Sequence, residues 1–238
     1  CDRSARARPR PSARSLVYVD DIPISALIAN NNTLGAPRWG VVSPEQIDHI
    51  DMLYGPFSAA YPGNAMGGVM RLVTRAPEQT QVTLKQSVAV QDVDLYGTHK
   101  NLSTSQTSLS AGGRSGKLAW FLGLDAQNSF SQPLSLISAG KPPAGSSGAI
   151  PALNKTGQAA DVLGAGGLLH TRMLNLDGKF SYQFTPGLRL TYLVGYWSNH
   201  GRSDTQSYLR DAAGRPSFGG ASAFASNTYD LRAHHLMQ

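Results

Sequence analysis

The chain has 238 residues, of which 41% are hydrophobic and only 15% charged, with 25 glycines, 14 prolines and a formal charge of +6. That length allows one or two domains, and a charged fraction below the roughly 25% usual for soluble domains, together with many turn formers, favours β structure over a helical bundle. The longest apolar run, Leu118 to Leu124, is far short of the ~20 residues that a membrane-spanning helix needs, whereas a barrel strand crosses with about 9–11 residues and one apolar face.

The positive charge is unevenly placed. Arg3, Arg6, Arg8, Arg10 and Arg14 crowd the start, and beyond them bases and acids nearly balance, so no nucleic-acid partner is expected. Cys1 is the only cysteine, which excludes internal disulfides and cysteine metal clusters. Residues 1–15 hold almost no large apolar side chain; they read as a disordered or non-native leader, such as an out-of-frame stretch of GC-rich DNA would encode, and they lack the apolar centre of an export signal.

Leu16 to Asp20 then read as a strand, turned by Asp21 and Pro23. Ser43-Pro44-Glu45-Gln46 predicts a short helix from Pro44, with Ser43 as N-cap and Gln46 completing a capping box. His49 to Tyr54 reads as a strand stopped by Gly55-Pro56, Phe57 to Tyr61 as one packed turn, and Val69 to Arg75 as a second strand after Gly67-Gly68. Pro77 closes this compact unit.

After Pro77 the texture changes to segments of period two. From Leu174 to Phe184 the residues Leu174, Leu176, Gly178, Phe180, Tyr182 and Phe184 share one face, and Asn175, Asp177, Lys179, Ser181 and Gln183 the other. Leu188 to Tyr196, Leu118 to Ala126 and, more weakly, Val82 to Val90 repeat the pattern. Leu102 to Ala111, mostly Ser and Thr, is a weaker strand, and a sixth begins near Asn227. Gly112 to Gly116 and Thr185-Pro186-Gly187 read as tight turns, and 132–168 and 201–226 as long loops. Short turns alternating with long loops are the habit of outer-membrane barrels. The expected class is mostly β: a partial transmembrane antiparallel barrel in residues 78–238, its first five or six strands, preceded by a small α/β unit in residues 16–77.

The run Ser43 to Val69, with Gly55-Pro56, Ser58, Tyr61, Gly63, Ala65-Met66-Gly67-Gly68-Val69 and a strand ending Thr74-Arg75, resembles the closing half of TonB-dependent receptor plugs. Val17-Tyr18-Val19-Asp20-Asp21 is similar to the family's earlier Val-Asp-Gly segment, with Asp21 at the usual Gly position and Asp51 where Glu is usual. The resemblance implies energy-coupled uptake across the outer membrane of a Gram-negative bacterium, most often of a ferric siderophore, with the TonB complex and outer-membrane lipid as partners. It implies no enzymatic activity and no cofactor. Gly55, Pro56, Ser58, Tyr61, Gly63, Gly67 and Gly68 are then the structural or gating motif. Asp51, Arg71 and Arg75 are the expected plug-to-barrel ion-pairing residues, and the long loops with residues 57–66 the expected ligand side.

Five or six strands are far fewer than the 22 of plugged transporters, so the chain is expected to be a fragment that does not act alone. Two other readings stay open at this point: a passive porin-like barrel, and a soluble β-rich binding module or hydrolase. For the last, Ser58, His49 and Asp51 make a triad on paper, but the G-x-S-x-G elbow is missing. His99, His170, His200 and His234-His235 lack metal-ligand spacing.

Overall fold

The computed structural model describes residues 15–25, 38–54, 61, 65–219 and 222–237. Two sheets form. In the small one, β1 (Ser15–Val19), β2 (Ile22–Pro23), β3 (Ile47–Leu53) and β4 (Gly68–Thr74) lie in the order β2-β1-β4-β3, with β1 and β4 parallel and the other pairs antiparallel. The alternation of Val17, Val19 and Leu72 toward one side buries them with Ile24, Val41 and Val42 in a compact core. Leu16, Val69 and Ala65 bury on the opposite side, beneath Tyr18 and Tyr61.

The large sheet holds β5 (Gln81–Leu95), β6 (Thr98–Ser115), β7 (Leu118–Phe130), β8 (Ser135–Ala139), β9 (Ile150–Leu153), β10 (Ala159–Thr185), β11 (Leu188–Ser207) and β12 (Tyr229–Met237). Its main path, β12-β11-β10-β7-β6-β5, is antiparallel and open, so the sheet is a partial barrel. The helix α1 (Ser222–Ser226) is the only α-helix among the described residues.

Polarity in the large sheet is inverted. Leu84, Leu109, Leu124, Leu176, Tyr196 and Leu236 stand opposite one another from strand to strand, one continuous apolar row across all six. Most of this row is exposed, Leu84 at 68% and Leu236 at 64%. On the other face of β7 and β10, where the 3-10 turns Trp39–Val41 and Pro44–Gln46 pack, Asp125, Asn175 and Asp177 are about 95% buried. Water-soluble sheets bury the apolar face; this one buries the polar face.

Several expectations need correction. Pro44–Gln46 is a single 3-10 turn, and Ser43 makes no side-chain cap bond; with Ile47 already extended, the chain enters β3 before a helical turn can propagate. No α-helix occurs among the described residues of the small unit. Residues 132–168 are not one loop: β8, β9 and the first ten residues of β10 lie there, where Ile137 and Leu163 build a core with Leu209 and Phe224. The expected loop 201–226 starts later, because β11 continues to Ser207. The turn placed at Gly112 to Gly116 is tighter, since β6 runs through Ser115 and β7 begins at Leu118. The packed turn expected at Phe57 to Tyr61 lies, except for Tyr61, outside the described residues, as do residues 1–14 of the leader.

Candidate functional site

The chemistry of the molecule concentrates where the small sheet seats on the inner face of the large one. At the β1–β2 turn Asp20 adopts φ 50°, in the left-handed region that Asp tolerates better than most residues. This points its carboxylate back at the end of β4. Asp20 accepts hydrogen bonds from the Thr74 backbone N–H at 2.8 Å and the Thr74 hydroxyl at 2.7 Å. Lys179 reaches in from β10, its Nζ 3.0 Å from Asp20 Oδ2 and 2.7 Å from Thr74 Oγ1. Both charged side chains are over four-fifths buried, at 14% and 17% exposure, so this pair is screened far less than a surface bridge.

A second contact joins Lys85 on β5 to Glu45 at 3.3 Å. Three strands away, Asn175 on β10 donates to the Gly40 carbonyl. A side chain at Gly40 would run into Trp197, 2.6 Å away, and one at Gly195 into the Val41 carbonyl. Two glycines, one on each body, therefore permit the close approach. The seam also holds polar atoms without a partner among the described residues: both carboxylate oxygens of Asp177, both amide atoms of Gln46 and the Ser43 hydroxyl. Such groups are costly when dry.

Of the residues singled out from the sequence, Gly55, Pro56, Ser58 and Gly63 lie outside the described residues. Tyr61 packs edge-on against Tyr18 with ring centres 6.1 Å apart. Gly67 ends the 3-10 turn Ala65–Gly67, and Gly68 opens β4 at φ +127°, a conformation that side-chain-bearing residues rarely adopt. Arg71 donates to Asp21 Oδ1 at 2.9 Å and to the Asp20 carbonyl at 3.0 Å. Arg75 donates to the Ile47 carbonyl at 3.0 Å, and Asp51 stands 3.8 Å from His49. The contacts of these three charges among the described residues are thus within the small sheet. Lys179, Asp20, Thr74, Lys85 and Glu45, with Asn175 at the Gly40 carbonyl, are among the polar contacts between the bodies. Sequence reasoning passed over them, although Lys179 was visible as the lone cation on the polar face of Leu174 to Phe184.

The family model of the TonB-dependent receptor plug domain matches residues 3–69. Over those residues the chain is similar to TonB-dependent receptor plug domains. The match starts within the Arg-rich leader and ends as β4 begins. Over 70 residues the chain is 33% identical to the ferric enterobactin receptor PirA of Pseudomonas aeruginosa, which is 26% of this chain and 9% of that protein. A crystal structure of the ferric enterobactin receptor PfeA with BCV-L6 is similar at TM-score 0.48 and 17% identity, over 82% of this chain and 26% of that one. A variant of PfeA from Pseudomonas aeruginosa in complex with enterobactin gives 0.47 and 18%, over 81% and 26%. The chain therefore spans about a quarter of the length of these solved receptors. The plug family is one of receptors and transporters, not of enzymes. Between plug and sheet, beside the Asp20–Lys179 pair, lies a cleft of about 400 Å³ whose lining includes Arg71, Arg114, Lys117 and Arg189.

Proposed function

We propose that this chain is part of an outer-membrane receptor that takes up a scarce ligand by TonB-coupled transport, a ferric siderophore of the catecholate class. In this reading residues up to 77 belong to the plug and residues 78–238 to the barrel wall. The observation that carries the membrane location is the inverted large sheet: an exposed apolar row crossing all six strands over a buried polar face. Only a non-aqueous solvent rewards that arrangement. From Leu118 to Ala126 the apolar positions of β7 cover about 27 Å along the strand, which at a barrel tilt of about 40° is roughly 20 Å of the ~25 Å belt of outer-membrane barrels. Short turns at Gly116 and Pro186 then face the periplasm, and β8, β9 and α1 face outward.

The plug match supports the coupling to TonB, and the likeness to PirA supports the ligand class. The Asp20–Lys179 pair is the lock that coupling must release. Asp51, Arg71 and Arg75, with the Gly55 to Gly68 motif, serve the same lock toward wall elements other than the six strands of this chain. The test is uptake by iron-starved cells that express the receptor carrying this segment, offered ferric enterobactin, haem, cobalamin or an oligosaccharide, with TonB present or deleted. TonB-dependent accumulation of iron from the catecholate is the expected result. Uptake indifferent to TonB, or of another ligand only, would overturn the reading.

A further inference from the structure

The lipid-facing side of the large sheet carries a cluster of charge on β10, β11 and β12, separate from Asp92, Asp94 and His99 near the β5–β6 turn. Across β10, β11 and β12, Arg172, His200 and Arg232 stand opposite one another. They lie on the same face as the apolar row of Leu176, Tyr196 and Leu236 and four residues further toward the long-loop end, about 13 Å along the strands. One step beyond, His170 pairs with Arg202, and Arg202 with Asp230. One step below, His234 stands opposite Ser198.

This cluster is not internally neutral. Asp230 is held by His200 at 2.8 Å and Arg232 at 3.4 Å, and Asp204 by Arg202 at 3.4 Å. Among the described residues Arg172 meets no carboxylate within ion-pair distance. Three guanidiniums and three imidazoles thus face two carboxylates, and the guanidiniums are open, Arg202 at 65% and Arg232 at 78% side-chain exposure. His170 is held by Asn128 at 2.7 Å and stacked on Phe130 with ring centres 4.1 Å apart. An aromatic shelf therefore borders the charges at the same level.

We propose that Arg172, His200, Arg202 and Arg232 form a site for the phosphorylated head group of an outer-leaflet glycolipid, whose acyl chains lie along the apolar row below. The site rests on the membrane reading above. A lipid satisfies both features at once: its tails cover Leu176, Tyr196 and Leu236, and its phosphates reach guanidiniums, which bind phosphate by paired hydrogen bonds. A free anion satisfies only the second.

The experiment uses the receptor carrying this chain, extracted from outer membranes and placed in zwitterionic lipid discs. Bisphosphorylated diglucosamine acyl lipid, the same lipid without phosphates, and inorganic phosphate are titrated separately. Binding of the phosphorylated lipid at least tenfold tighter than the dephosphorylated one, lost at least tenfold in the double variant Arg172→Gln/Arg232→Gln and largely kept in Arg172→Lys/Arg232→Lys, is the expected result. These side chains are exposed, so the variants keep the sheet, checked by circular dichroism. Equal binding of the two lipids, no change in the Gln variant, or displacement of the lipid by equimolar inorganic phosphate overturns the site. Failure of the receptor to fractionate with outer membranes removes the membrane reading and this site together. Fractionation there with indifference to lipid phosphate removes this site alone.

Discussion

Lys179 and Asp20 show how one residue pair can define an interface. Replacing Lys179 by Met leaves a carboxylate at 17% exposure with only Thr74 donors, a loss of about 2–3 kcal/mol in plug seating, less than for a fully dry pair. Urea unfolding of the receptor in detergent measures it, and Asp20→Asn in the same background should restore part of the loss, because the stranded charge is gone. A variant as stable as the parent would show that the pair does not hold the plug. Gly68 tests the motif differently. At φ +127°, with the Leu53 carbonyl 3.5 Å from where a Cβ would stand, there is room for a methyl group but not the conformation. Gly68→Ala should cost about 1–2 kcal/mol through backbone strain alone. An unchanged unfolding midpoint would mean that β4 opens without that φ.

At the scale of elements, the turn after β11 offers a pH test outside the membrane-spanning strands. The Asp211 carboxyl lies below the usual aspartate range, chiefly because the Arg215 backbone N–H donates to it, joined by the Ala213 N–H and the Arg215 side chain. A lowered folded value means that the turn gains from ionised Asp211 above the unfolded pKa of about 3.9 and loses this as pH falls through the folded value. Exchange of the Arg215 amide should accelerate only in that acid range, and Asp211→Ala should remove the dependence. What could be read from sequence at this scale followed the strength of the pattern. Leu174 to Phe184 was legible because strict alternation over eleven positions has no helical explanation. The strand β6 was faint because its Ser and Thr carry little contrast between faces. The strands β8 and β9 were invisible because Pro133, Pro142, Pro143 and Pro151 read as loop, although pairing along β10 satisfies their backbones. The latch was not legible either, since Asp20 and Lys179 are 159 residues apart and meet only through the plug's seating.

For the whole molecule the decisive property is which face meets which solvent. Leu176 sits in the middle of the apolar row, so Leu176→Arg should weaken folding into bilayers by about 2–4 kcal/mol if that row lies at the midplane, and by about 0–1 near an interface. Folding titrations into vesicles of one lipid type give the value, and no penalty at all would show that this face does not meet lipid. The open order β12-β11-β10-β7-β6-β5 leaves backbone groups of β12 and β5 without neighbours in the path, which in hydrocarbon must be paired by further strands. The strand-to-strand register that builds the apolar row also imposes a parity on the gene. An insertion of one codon between those for Arg172 and Lys179, with the strand held at Arg172, would turn Lys179 toward lipid and Phe180 toward the plug seam, whereas two codons would restore the faces and shift only the height. Near Gly164 to Leu168, where β10 already changes register against β8 and β11 and Gly167 takes φ 67°, a single extra residue can be absorbed as a bulge. Among relatives, length changes within the membrane part of β10 should therefore come in even numbers, and odd ones should collect above it.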